Sequence, residues 1–376
     1  MKYRYFDYNA TTPVFPEVQT QLAPFFTEIF GNPSSYHLYG RKAKEAIEAS
    51  RHVVAAAFGA YPEEVIFTAG GTEANHLALW GASAGVGQMV VFSGEHPSVL
   101  EAARKIARFR HLPLHEVRAA SHGGIDLEDL QNALQRPTQL VAVMHANNET
   151  GVIYPVDSVV ALAKHTFIHS DWVQAAGKIP LHFRDSGLSS VSLSAHKFGG
   201  PKGIGALLLR RERFIEPWIC GGGQEQGYRA GTENVAAIVG FAKAAEMACA
   251  NIAAYRDHTQ KLQTLFENGI KSLNGIVFGQ KQPRVTNTTY FALPGIQGEM
   301  AVMRLDQKGF ALASGAACSS AKMGPSHVLL AMGIEEDLAQ CAIRVSFGMV
   351  HQEEDVRELL LALGALQQEA ALILES

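Results

Sequence analysis

The sequence has little cysteine, and none of it is paired. Cys220, Cys249, Cys318 and Cys341 are the only four in 376 residues. No C-x-x-C spacing and no tight Cys/His grouping occurs, which excludes the usual structural zinc sites. Basic excess is also missing. Thirty-two Lys and Arg against 36 Asp and Glu leave a net charge of -4, too little positive charge to neutralise a nucleic-acid backbone. A small-molecule substrate is expected, with no direct nucleic-acid partner. The apolar runs are all interrupted by glycine, histidine or charge before membrane-spanning length, and the first residues lack the basic-then-apolar pattern of a secretory leader. These absences point to a cytoplasmic protein with reduced thiols and no membrane partner. Each cysteine, taken alone, reads as a small buried hydrophobe.

What is present is the composition of a folded chain, 47% apolar and 18% charged, long enough for a large domain and a smaller companion. From about residue 60, short aliphatic runs alternate with helical patterns, the signature of an α/β fold with a mainly parallel sheet flanked by helices. The expected strands are 65–68, 89–93, 140–144, 167–170, 191–193 and 204–209, and their continuous apolar character suits burial on both faces. A long Ala-rich helical stretch, 234–273, leads to a different rhythm. Strand-like segments at 285–293, 310–313 and 342–346 mix there with helices at 298–307 and 353–374, as in a smaller α+β domain. The division expected is residues 14–250 for the large domain, with 1–13 and 251–376 forming the small one.

Three segments carry groups suited to chemistry. Ile66 to Asn75 places Gly70, Gly71 and Thr72 at a strand-to-helix turn, where free amides and a hydroxyl can hold an anion. No phosphate-loop or dinucleotide glycine pattern accompanies it. Asp171 follows a hydrophobic strand at the carboxyl end, where open α/β sheets bind ligands. Lys197 lies beyond another strand end, within Ser192-Leu193-Ser194-Ala195-His196-Lys197-Phe198-Gly199-Gly200. An anion cup, an aspartate and a lysine at strand ends are the three groups that pyridoxal 5'-phosphate requires: a phosphate anchor, a partner for the pyridine nitrogen and an amine for a Schiff base.

These blocks resemble the cysteine desulfurases of the NifS/IscS type, within the class V aminotransferases and pyridoxal-phosphate fold type I. The resemblance runs from Phe6-Asp7-Tyr8-Asn9-Ala10-Thr11-Thr12-Pro13 to Ile343-Arg344-Val345-Ser346-Phe347-Gly348. It passes through Gly31-Asn32-Pro33, Gly71-Thr72-Glu73, Glu95-His96, Asn147-Asn148-Glu149, Ala195-His196-Lys197 and Arg229-Ala230-Gly231-Thr232. It implies that Lys197 bonds the cofactor, that Asp171 pairs with its pyridine nitrogen, and that His96 stacks on the ring and carries a proton. By the same resemblance Gln174 and Asn148 bind the ring hydroxyl and the substrate side of the cofactor, while Gly71, Thr72, Ser194 and His196 hold the phosphate. Thr232 would reach the phosphate of a neighbouring subunit, which implies a homodimer. Arg344 would take the α-carboxylate of L-cysteine.

The block Ala313-Ser314-Gly315-Ala316-Ala317-Cys318-Ser319-Ser320-Ala321 surrounds one thiol with small residues, which leave the sulfur unobstructed. Cys318 is therefore set apart from the other three. The implied activity turns L-cysteine into L-alanine through a persulfide on Cys318, which passes the sulfur to an acceptor protein, for iron–sulfur cluster assembly, tRNA thiolation or DNA modification. The sequence names no fixed basic neighbour to favour the thiolate, Lys322 being a candidate. A selenocysteine lyase, or another β-lyase or aminotransferase, would need Asp171 and Lys197 but not Cys318, and a scaffold protein would need neither. Two departures stand out. Trp172 follows Asp171 where relatives commonly carry a small residue; facing the cofactor it would reshape the pocket, and otherwise it points away into core or interface. Gln226 stands where many carry arginine.

Overall fold

The computed structural model describes residues 3–314 and 324–374. After a short strand, β1 (Arg4–Tyr5), the strands are β2 (Val65–Thr68), β3 (Gln88–Phe92), β4 (Leu114–Val117), β5 (Thr138–Ala142), β6 (Phe167–Asp171), β7 (Ser190–Ser194) and β8 (Gly205–Leu209). β2 to β8 form one seven-stranded sheet in the order 2-8-7-6-5-3-4. Every neighbouring pair is parallel except the two made by β8, which runs against β2 and β7. The chain between β7 and β8 holds only the helical turn Ala195–Lys197, with no crossover helix to carry it back for a parallel pairing.

Alternate residues of each strand enter separate cores. Val65, Phe67, Val90, Val141 and Val191 face one, and Ile66, Met89, Val91, Leu140 and Leu207 face the other. Burial on both faces explains the continuous apolar runs. The edge strand β4, LHEV, is only partly buried and carries His and Glu, so no apolar run marks it in the sequence.

A second, antiparallel sheet orders β12 (Ala313–Ser314), β13 (Ala342–Ser346), β10 (Thr288–Ala292) and β9 (Ile276–Val277). The amino terminus joins it. β1 pairs with β11 (Phe310–Ala311), Asp7 bridges Ser346, and Phe6 packs against Phe310 and Phe347. Helices Ile252–Ser272 and Glu353–Leu374 cover this core.

The Ala-rich stretch is two helices rather than one. Val235–Ala250 and Ile252–Ser272 meet at Asn251 with a bend of 69°. The first is capped by the Asn234 side chain, which accepts from Ala237 N, and its small side chains lie against helix Leu38–Phe58 in the larger core. No single helix among the described residues is long and apolar enough to cross a membrane.

Candidate active site

The carboxyl ends of β2, β6 and β7 lie on one side of the large sheet, and a cleft of about 680 Å³ opens there. At one end, β2 runs through Gly70 into helix Gly71–Ala82. The first-turn amides of a helix have no partner within it and carry the positive end of its dipole. A Cβ at Gly71 would sit 2.7 Å from Val173 Cγ2, and one at Gly205 would sit 2.4 Å from the Leu193 carbonyl oxygen. Glycine at both positions lets the helix start, β7 and β8 close into a cup. Thr72 and Ser194 line it. His196 does too, with Nδ1 3.2 Å from Thr11 Oγ1. Burial, followed by the cations of Lys197 and Lys202, lowers the pKa of His196 to about 4, so the ring is neutral at pH 7.

Asp171 ends β6 and is 5% exposed. Its Oδ1 accepts from Val173 N at 2.8 Å, and its Oδ2 accepts from Asn75 Nδ2 at 2.8 Å. Asn75 Oδ1 faces His169 Nε2 at 2.9 Å, and His169 Nδ1 lies 2.8 Å from Ser190 Oγ. Burial lowers the His169 pKa to about 3, so a neutral imidazole fixes the Asn75 amide with its NH2 toward Asp171. Asn75 Nδ2 also donates to Ser98 Oγ at 2.9 Å, and the Ser98 amide and hydroxyl engage His96 Nδ1 at 3.1 and 2.8 Å. Accepting that amide leaves Nε2 as the protonated nitrogen of a neutral His96 ring. Burial is the largest influence on His96 and lowers its pKa, partly opposed by Asp171.

Lys197 reaches the cleft from the turn after β7, donating from Nζ to the backbone oxygens of Asn9 at 2.6 Å and Ala10 at 2.8 Å. Gln174 Nε2 shares the Asn9 carbonyl at 2.9 Å. At the far end Arg344, 3% exposed on β13, directs Nη2 to Asp7 Oδ1 at 2.6 Å and Nη1 to the Asn148 carbonyl at 3.0 Å. It is a buried mid-strand residue with its planar fork in the cleft.

The sequence-selected residues therefore converge, with two exceptions. Thr232 is exposed and is not among the residues lining this cleft. Cys318 and Lys322 lie outside the described residues, but the flanks of their segment adjoin the site: Ala313 pairs with Arg344, and the Ser326 hydroxyl donates to Glu149. Trp172 is 1% exposed and packs on His145 and Phe183, turned into the core. Gln226 reaches the Glu63 carbonyl at 3.2 Å, away from the cleft.

The core-filler reading fails for Cys220, which is exposed on its glycine loop, and holds for buried Cys341. Cys249 is partly buried, and burial pushes its thiol up to about 11. Sequence reasoning gave no role to Asn9, Asn75, His169 or Lys178. Asn75 sits one helical turn beyond Thr72, which is the signal that places it on the cleft side of the helix.

The residues present fit a phosphorylated pyridine aldehyde. Helix amides and hydroxyls form an anion cup at one end, and a buried carboxylate with two donors already in place stands opposite. A lysine amine lies within reach of the space between them.

The aminotransferase class-V family matches residues 4–359. A cysteine desulfurase IscS of Dictyoglomus turgidum is 39% identical over 368 residues, covering 95% of this chain and 92% of that one. A solved NifS-like protein superposes with a TM-score of 0.91 at 33% identity, over 97% of this chain and 99% of the other. The structure of SspA in complex with cysteine matches at TM-score 0.82 and 30% identity, over 92% and 99%. With a cleft of this chemistry on this fold, the chain belongs to the class V aminotransferase family, among its cysteine desulfurases.

Proposed function

We propose that the chain binds pyridoxal 5'-phosphate in this cleft and takes sulfur from L-cysteine, leaving L-alanine and a persulfide on Cys318. The observation that carries this reading is the convergence of the helix cup, Asp171, Lys197 and Arg344 on one cleft. The similar SspA bound to cysteine supports the choice of substrate.

In this reading Gly71, Thr72, Ser194 and His196 hold the phosphate through neutral donors and the helix amides. Asp171 keeps the pyridine nitrogen protonated, and Asn75 holds that carboxylate in place. Gln174 meets the ring hydroxyl, and Asn148 lies on the substrate side. When bound, the cofactor draws electrons from the substrate α-carbon and weakens the bonds to it. Arg344 receives the substrate carboxylate, for which its fork is suited. Neutral His96, with Nδ1 held by the Ser98 amide, presents its Nε2–H to the cleft and gives a proton there. The Cys318 thiolate forms the new S–S bond as the substrate C–S bond breaks, and the carbon skeleton gains a proton to leave as L-alanine. The sulfur then passes to an acceptor protein.

Exposed Thr232 serves the phosphate of a second copy, making the working unit a homodimer. Residues 14–250 act as the cofactor domain, and residues 1–13 with 251–376 as the domain carrying Arg344 and Cys318.

The test incubates purified protein with L-cysteine and a reductant and measures sulfide and alanine. Wild type is expected to show a visible cofactor band and equal yields of both products. Lys197→Ala loses turnover, and Cys318→Ala loses sulfide release. Sulfide release by Cys318→Ala at the wild-type rate would overturn the persulfide route, and a wild type with no visible band after incubation with the cofactor would overturn the cofactor assignment.

A further inference from the structure

Behind Gln174 and Asn9, which line the cleft, lies a lysine for which the reaction above has no use. Lys178 is 4% exposed, and its Nζ lies 2.6 Å from Gln174 Oε1 and 3.0 Å from Asn9 Oδ1. Both acceptors are amide oxygens, and no carboxylate pairs with it among the described residues. Burial, followed by the nearby cations of Lys197 and Arg344, pushes its pKa well below that of an ordinary lysine. A hydrophobic side chain in such a place is commonly as stable or more so, so stability alone does not account for this residue.

The hydrogen bonds around it leave one arrangement. Asn9 Nδ2 donates to the Asn148 carbonyl at 3.1 Å and to Thr288 Oγ1 at 2.9 Å, so Asn9 Oδ1 faces Lys178 and Asn287 Nδ2. Gln174 Nε2 donates to the Asn9 carbonyl, the same oxygen that holds Lys197 Nζ. Its Oε1 is thereby committed to Lys178. Of the two Gln174 amide hydrogens, one goes to Asn9 and the other remains for the cleft that Gln174 lines. A glutamine amide can otherwise turn over and exchange its donor and acceptor ends.

We infer that Lys178 is a positioning residue: through Gln174 Oε1 it holds the amide so that an N–H, not the carbonyl oxygen, meets the ring oxygen of the bound cofactor. The inference rests on the cofactor assignment above. An N–H favours the ring oxygen as an anion, whereas a turned amide would offer an acceptor and favour its protonated form. The pH at which the cofactor band titrates therefore depends on Lys178 by way of Gln174. The other charged groups acting on Lys178 are Lys197 and Arg344; neither is substituted in the test, and Lys197 is bonded to the cofactor in every variant compared.

The experiment titrates the visible band of the cofactor-loaded protein for wild type, Lys178→Met, Gln174→Ala and the double variant, and measures cofactor dissociation constants for each. Lys178→Met is expected to raise the band's midpoint by about one pH unit and to weaken cofactor binding about tenfold. In the Gln174→Ala background the same substitution adds no further shift, because the residue it acts through is gone. Lys178→Gln keeps a donor for Gln174 Oε1 and is expected to retain the wild-type midpoint, and it serves as the readout if Lys178→Met does not fold. An unchanged midpoint in Lys178→Met overturns the inference, as does an equal shift with and without Gln174, or a raised midpoint in Lys178→Gln. A wild type with no visible band overturns the cofactor assignment and this inference with it.

Discussion

Arg344 Nη2 and Asp7 Oδ1 stand 2.6 Å apart, an ion pair that joins the small antiparallel sheet to the amino-terminal segment beside the cleft. With the Asn148 carbonyl on Nη1, the guanidinium plane is fixed before any carboxylate arrives. A lysine would keep the charge but lose this fork. Arg344→Lys is therefore expected to raise KM for L-cysteine by roughly 10- to 100-fold, the equivalent of one charged hydrogen bond, with a smaller change in kcat. Steady-state kinetics check this, and an unchanged KM would remove Arg344 from substrate recognition.

Asn75 is the support for Asp171, through the 2.8 Å bond from Nδ2. Asn75→Ala strands one carboxylate oxygen and the His169 Nε2 hydrogen, at a cost of about 1–3 kcal/mol in stability. Asn75→Asp sets a second carboxylate against Asp171, and repulsion raises the pKa of the pair. Cofactor affinity is expected to fall in both, and more in Asn75→Asp. Equilibrium titration of the apo protein with cofactor gives the order, and the reverse order would separate Asn75 from Asp171.

Most of this architecture was legible because the strands are buried on both faces and so write themselves as apolar runs. β2 and β13 matched their expected bounds, as did helices Gly298–Gln307 and Glu353–Leu374. β4 was missed because a half-exposed edge strand with His115 and Glu116 has no such run. The break at Asn251 was missed because alanine continues the helical pattern on both sides of it. At the site, residues whose chemistry is local, such as Lys197 and Asp171, could be named from their segments. Asn9 could not. Its partners Lys178, Lys197, Asn287 and Ser346 are spread along the chain, and only folding brings them around it.

Acid sensitivity follows from the buried imidazoles. His169 and His145 have pKa values lowered by burial to about 3 and about 4, against an unfolded value near 6.5. Between those limits the unfolded chain binds protons that the folded chain refuses, so stability is full above about pH 6.5 and is lost as pH falls. Each contributes roughly 3 kcal/mol of loss by pH 4. His169→Gln keeps a donor for Asn75 without titrating, and its Tm is expected to fall less steeply than the wild type's between pH 6.5 and 4. Parallel Tm profiles would show that His169 is not the group responsible.

The loop that leads to Thr232 hangs on Arg51. Its guanidinium donates to Glu225 Oε2 at 2.8 Å and Oε1 at 2.9 Å, and Phe67 N donates to the same carboxylate at 2.7 Å. Glu225 and Gln226 both adopt positive φ, 46° and 58°, a conformation that non-glycine residues hold only when surrounding contacts impose it. Arg51→Met leaves the Glu225 carboxylate buried without its cation and is expected to cost about 3–5 kcal/mol, a fall of several degrees in Tm. Adding Glu225→Gln removes the stranded charge while keeping an acceptor for Phe67 N. The double variant is therefore expected to melt above Arg51→Met alone. Thermal melts of the two single variants and the double one decide it: additive losses would mean that the pair is not the restraint that holds this loop.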